Sequence, residues 1–194
     1  MPNAITMLKA DHATVKRLLR ELDNTTERAG KQRERLLAEI EREIKIHSQI
    51  EEELFYPTFK KAAEDTEAED LFYEATEEHH VVDMVLPELK STSTKAPEFA
   101  AKAKVLRELV EHHAQEEETQ MFTRARKLLD DEQLRVLGEE MQKRKETLIT
   151  MWTNPLLKQV KKLQSAVHKI TPTKVKNAKA NAIAQMKGDE ARNR

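Results

Sequence analysis

Two stretches of this chain repeat each other, and that repeat limits the possible folds more tightly than any other feature. Set at an offset of 67, His12-Ala-Thr-Val15-Lys-Arg-Leu-Leu19-Arg-Glu21-Leu22 matches His79-His-Val-Val82-Asp-Met-Val-Leu86-Pro-Glu88-Leu89 at His, Val, Leu, Glu and Leu. Set at an offset of 66, His47-Ser-Gln49-Ile-Glu51-Glu52 matches His113-Ala-Gln115-Glu-Glu117-Glu118. The apolar spacing in both is that of one helix face, and residues four apart lie on the same face. Each half is therefore a helix with one inward histidine, followed by a helix with an inward His-x-x-x-Glu whose two side chains can reach one ion together. Packed antiparallel, the two halves bring six side chains to one place. The expected fold is all-α: an antiparallel four-helix bundle of two pseudo-repeats with a C-terminal helical extension.

Helix limits follow from caps and apolar stripes. Ile5, Leu8, Val15, Leu19 and Leu22 share a stripe after Asn3, a suitable N-cap, and position 12 of that stripe is histidine. A second helix over about 30–64 turns Leu37, Ile40, Ile44 and Leu54 inward, with His47 and Glu51 between them. The third begins near Thr66-x-x-Glu69, a capping-box pattern, and aligns Phe72, Ala75, Val82, Leu86 and Leu89 around His79. Pro97 suits the first turn of a fourth, on which Leu106, Val110 and Met121 flank His113 and Glu117. Pro57 and Pro87 fall inside helical patterns and predict kinks or early ends. With only 3 glycines and 36% charged residues in 194, composition favours long helices.

The six inward side chains call for cations. A carboxylate facing a bundle core is costly unless paired or coordinated, and here two meet at the same depth. With no cysteine in the chain, thiolate chemistry, disulfides and cysteine-held clusters are excluded. Four imidazoles and two carboxylates suit iron or manganese better than structural zinc. If both glutamates bridge, the side chains fill eight of about twelve octahedral positions, leaving room for small ligands. Ferritin-like di-iron bundles use Glu-x-x-His, the reverse order at a different spacing. No phosphate-binding glycine loop and no Ser or Cys nucleophile signature is present.

Neighbouring residues sort by face. His80 lies one residue off the His79 stripe and is read as surface or outer layer; His112 with Glu116 forms a second His-x-x-x-Glu, but the alignment of Gln49 with Gln115 favours His113. Glu52, Glu53, Glu116 and Glu118 are read as solvated or in the layer behind the ligands, and Tyr56 as a packing aromatic whose hydroxyl could approach the site.

The segments carrying these residues are ADH ending at His12, HSQIEEELFYP from His47, EEHHVVD ending at Asp83 and HHAQEEE from His112. Together they resemble the hemerythrin-like family, the HHE cation-binding domain, over about residues 4–129. The resemblance implies a four-helix bundle with His12, His47, Glu51, His79, His113 and Glu117 as ligands of a non-haem di-iron centre. It also implies a departure, since oxygen-carrying hemerythrins use five histidines with one glutamate and one aspartate. Bacterial members with four histidines and two glutamates are linked to responses to oxygen, peroxide, nitric oxide or iron. The expected function is a di-iron protein that binds or senses oxygen, nitric oxide or iron. The alternative is a di-iron enzyme acting on peroxide or nitric oxide. Its partners would be a small diatomic ligand or peroxide, with no specific nucleic acid.

The charge is unevenly spread. From Gln142 to Arg194 there are 13 Lys/Arg against 3 Asp/Glu, a net of +10, which leaves −11 for residues 1–141. The boundary between metal-binding bundle (1–141) and basic extension (142–194) is expected there. Asp130 predicts the cap of a fifth helix over 131–149. A further amphipathic segment, Leu156 to Ile170, suits packing on the bundle, a helix-mediated partner or self-association. The Lys/Ala/Asn-rich end beyond Pro172 is expected to be mobile. No stretch reaches the roughly 18 apolar residues of a membrane span, and the N-terminus lacks a secretion signal. The expectation is a soluble, cytoplasmic protein.

Overall fold

The computed structural model describes residues 2–63 and 66–154, and every regular element among them is helical. Helix α1 (Ala4–Asp23) starts where the Asn3 side chain accepts from the Thr6 N–H at 2.9 Å. Helix α2 (Gly30–Ile50) runs into a wide π turn (Glu51–Phe55) and then α3 (Tyr56–Ala63), so the expected second helix is continuous in path but changes its winding. Helix α4 (Thr66–Ser91) continues past Pro87 to Ser91. The Thr66 side chain, and with it the predicted capping box, lies outside the described residues. Helix α5 (Pro97–Glu116) begins on its proline, passes through a second π turn (Glu117–Met121) and leads into α6 (Phe122–Leu128).

Packing follows the predicted stripes. Helix α1 contacts α2 and α5, and α4 contacts α5 and α2. Val15, Leu19 and Leu22 of α1 meet Leu37, Ile40 and Ile44 of α2, Val82, Leu86 and Leu89 of α4, and Leu106 and Val110 of α5 in one buried cluster. Burying each such side chain contributes about 1.5–3 kcal/mol. The four histidines sit at one end of this cluster, where Val15, Ile44, Val82 and Val110 border them.

Helix α7 (Asp131–Thr153) is capped by Asp130, whose carboxylate accepts from the Gln133 N–H at 2.8 Å while the Gln133 side chain accepts from the Asp130 N–H at 2.9 Å. Gly138 is required for its seat: a Cβ there would lie 2.7 Å from the Ala4 nitrogen and 2.8 Å from the Asn3 carbonyl carbon. The helix passes through position 142 without interruption, and both Met141 and Leu148 are buried. The chain divides into two compact units, Met1–Leu148 and Ile149–Arg194. Of the second unit only the last turn of α7 and Asn154 are described, so the amphipathic segment from Leu156 and the basic end fall outside the described residues. No helix among the described residues is long and apolar enough to cross a membrane.

Candidate metal centre

Each half builds its glutamate into a π turn. The Tyr56 N–H donates to the Glu51 carbonyl, five residues back, and the Phe122 N–H does the same to Glu117. Such widened turns inside helices are frequent at functional sites. Pro57 removes a donor from the first ladder, but Thr123 holds the matching place in the second, so proline does not cause the turn. The extra residue lets two successive side chains share the inner face with the glutamate. Glu51, Phe55 and Tyr56 are all buried, as are Glu117, Met121 and Phe122.

Six side chains converge. The rings of His12 and His47 lie 4.7 Å apart between centroids, and those of His79 and His113 also lie 4.7 Å apart. Glu51 Oε2 is 3.1 Å from His47 Nε2 and 3.4 Å from His79 Nε2. Glu117 Oε2 is 3.1 Å from His12 Nε2 and 3.7 Å from His113 Nε2. Each carboxylate thus stands between one histidine of each pair.

Behind each histidine is a carboxylate from another element. Nδ1 of His12 faces Glu118 at 3.1 Å, Nδ1 of His79 faces Glu52 at 2.8 Å, and Nδ1 of His113 faces Glu78 at 2.8 Å. Nδ1 of His47 faces Asp11 at 3.8 Å, an ion-pair distance too long for a hydrogen bond. These partners obey the repeat, because Glu118 follows Glu52 by 66 and Glu78 follows Asp11 by 67. A carboxylate on Nδ1 fixes the tautomer that leaves the Nε2 lone pair facing inward and makes it more basic.

The electrostatics show how poorly the inner atoms are satisfied by the protein itself. Burial and then the Glu117 charge push the Glu51 carboxyl well above its usual range. Burial also pushes Glu117 upward, but His113, His12 and His47 outweigh it and hold Glu117 below the usual range. Of the two, Glu51 keeps its proton to higher pH. Burial, helped by His12, pulls His47 down to about 4 against Asp11 and Glu117. His12 Nε2, His47 Nε2, both Glu51 oxygens and Glu117 Oε2 are buried without a hydrogen-bond partner. Leaving a carboxylate so placed costs several kcal/mol, which a bound cation offsets. His12, His47, His113 and Glu117 each offer one ligand atom within 4.8 Å of the others, and so do Glu51, His79 and His113. The donor set and the unsatisfied atoms both fit a cation. Beside the imidazoles lies a cavity of about 20 Å³ walled by Val15, Ile44, Val82 and Val110.

The residues singled out by sequence divide cleanly. His12, His47, Glu51, His79, His113 and Glu117 are brought together, His80 is exposed, and His112 is 63% exposed and turned away from the cluster. Tyr56 both packs and reaches the site, its hydroxyl donating to Glu117 Oε1 at 2.7 Å and lying 3.4 Å from His79 Nε2. Asp11 and Glu78 escape a reading confined to ligand spacing. The available signal was an acidic residue directly before His12 and before His79.

The chain matches the hemerythrin HHE cation binding domain over residues 3–125. It belongs to that family. Among solved structures, this HHE chain is similar to the crystal structure of a hemerythrin HHE cation binding domain-containing protein from Mycobacterium kansasii, an Rv2633c homolog. The TM-score is 0.68 at 29% identity, covering 79% of this chain and 94% of that one. It is 31% identical over 147 residues to the uncharacterized protein Rv2633c of Mycobacterium tuberculosis, covering 75% of this chain and 87% of that protein. A protein named DNA nickase from Nostoc sp. is 26% identical over 127 residues, 66% of this chain but only 34% of that protein's length.

Proposed function

We propose that this HHE chain holds two iron ions, for which His12, His47, Glu51, His79, His113 and Glu117 would be the ligands. The observation that carries the reading is the placement of each buried carboxylate between one histidine of each pair, with both Glu51 oxygens and Glu117 Oε2 lacking a hydrogen-bond partner. The cation-binding character of the family supports it. We read α1, α2, α4 and α5 as an antiparallel four-helix bundle around the centre, in keeping with their mutual contacts. Iron in this place supplies open coordination positions and a change of oxidation state. The protein's own part is to hold four Nε2 atoms in one tautomer, exclude bulk water and offer a small apolar chamber beside them. A cavity of about 20 Å³ has room for a water-sized or diatomic molecule. The function best supported is therefore binding or sensing of oxygen, nitric oxide or iron itself, in the cytoplasm.

A second reading, a di-iron enzyme acting on peroxide or nitric oxide, is favoured by the Tyr56 hydroxyl. It is a hydrogen-bond donor held at the edge of the centre by Glu117. Purification of the protein from an iron-supplied host, followed by metal analysis and visible spectra with oxygen, nitric oxide and peroxide, tests both. The expected result is two iron per chain and a spectrum that changes on adding a diatomic ligand. One zinc, or no metal, would refute the di-iron reading, and sustained consumption of peroxide or nitric oxide would select the enzyme.

A further inference from the structure

The second His-x-x-x-Glu of helix α5 is left outside the buried centre and has its own surroundings. His112 Nε2 lies 3.5 Å from Glu78 Oε1 and 3.7 Å from Glu116 Oε2. These three residues offer ligand atoms all within 4.8 Å of one another, with His112 exposed and both carboxylates partly exposed. Glu78 is shared with the interior, since its other oxygen bonds His113 Nδ1 at 2.8 Å.

The repeat shows that this group is not a by-product of the bundle's pattern. The places that match Glu78, His112 and Glu116 in the first half are Asp11, Ile46 and Ile50. There the two isoleucines are buried, and the outer oxygen of Asp11 is bonded by the Lys145 ammonium of α7. A cation thus sits on the outer oxygen of Asp11, whereas the outer oxygen of Glu78 faces an imidazole and a second carboxylate instead. A small cavity of about 10 Å³ is lined by Glu74, Glu78, Glu116 and the buried Glu117, together with Leu71, Ala75 and Met121. Glu117 is 2% exposed, and its Oε2 faces the inner centre, 3.1 Å from His12 Nε2.

We propose that Glu78, His112 and Glu116 form an outer divalent-cation site, and that a cation bound there passes by Glu74 and Glu116 to Glu117 and the buried centre. The binding half stands on the outer residues alone; the transfer half rests on the di-iron reading. One imidazole and two carboxylates form a nitrogen and oxygen set suited to a hydrated Fe2+ or Mn2+, and the carboxylates attract the ion before any of them is dehydrated.

The test compares the full-length protein with its His112→Ala/Glu116→Gln variant, which leaves Glu78 and all six inner residues in place. Mn2+ binding is counted by electron paramagnetic resonance of the free ion on iron-loaded samples, and Fe2+ uptake by metal-free samples is timed without oxygen. The expected result is one Mn2+ fewer in the variant. Fe2+ uptake should be several-fold slower in the variant at an unchanged final content. Equal Mn2+ binding in both proteins would overturn the site. A lost Mn2+ with equal uptake rates would overturn the transfer role. If the wild type takes up no iron at all, the di-iron reading has failed, while the difference of one Mn2+ still reports the outer site.

Discussion

The Tyr56 hydroxyl donates to Glu117 Oε1 at 2.7 Å, and this single contact breaks the symmetry of the two halves. Phe122 occupies the matching place and stacks on His12 at 5.8 Å, much as Tyr56 stacks on His79 at 5.7 Å, but it has no hydroxyl to offer Glu51. Hence one carboxylate has a protein donor and the other has both oxygens unpartnered. Burial, followed by the charges of Glu117 and Glu51, keeps the phenol protonated well above its usual range, so it remains a donor across the working pH.

Tyr56→Phe should therefore remove a hydrogen bond to a charged acceptor while leaving the ring in place. The expected loss of stability is about 1.5–3 kcal/mol by denaturant unfolding. Metal content should be retained, with an altered visible spectrum in the loaded protein. Unchanged stability together with an unchanged spectrum would show that the hydroxyl is incidental.

Glu51→Gln should separate binding from stability. The folded carboxyl titrates above its ordinary 4.5 because it is buried beside Glu117, so the unfolded chain gives up this proton first as pH rises. The metal-free wild type thus loses stability as pH climbs above about 4.5, up to the raised folded value. The neutral amide abolishes that loss. Metal-free Glu51→Gln should be more stable than metal-free wild type at pH 7, with the gap narrowing toward pH 4.5, yet should retain little iron. Calorimetry of both proteins after chelation, set beside metal analysis before it, checks the two halves of this expectation. A variant that is less stable at pH 7 contradicts it.

The carboxylates behind the histidines should tune affinity more than fold. Glu52 and Glu118 are 47% and 27% exposed, so glutamine at either place leaves no buried group stranded. Each change should weaken metal binding about 10–100-fold through the tautomer and basicity of His79 or His12. Competition against a chelator of known affinity measures this, and wild-type retention in both variants would count against an orienting role.

Truncation should respect the tertiary contacts rather than the change in net charge. Ending the chain after Asn154 keeps all of helix α7, and folding with full metal content is expected. Ending it after Met141 removes Lys145, which bonds Asp11, and the buried Leu148. Loss of the leucine alone costs about 2–5 kcal/mol, and Asp11 faces His47. The shorter chain should melt earlier and hold metal less tightly, as thermal scans with metal analysis would show. Equal behaviour of the two truncations would mean that α7 past Met141 contributes neither support nor stability.

What the sequence determined by itself was everything that depends on position along a helix. The recurrence of His12 at His79 and of His47/Glu51 at His113/Glu117 specified the inward faces, because side chains three or four residues apart share a face whatever the helix packs against. Asn3 and Asp130 marked helix starts for the same local reason. Tertiary structure alone decided what depends on depth and approach between helices. His12 meets Glu118, 106 residues away, and Glu51 serves His79 as well as its own helix neighbour His47. The π turns at Glu51 and Glu117 belong to this second class, since their widening is what lets Tyr56 and Phe122 share the inner face with them. Spacing in sequence gives the direction of a side chain around its own axis; the distance and registry between axes come only from how the cores of neighbouring helices interlock.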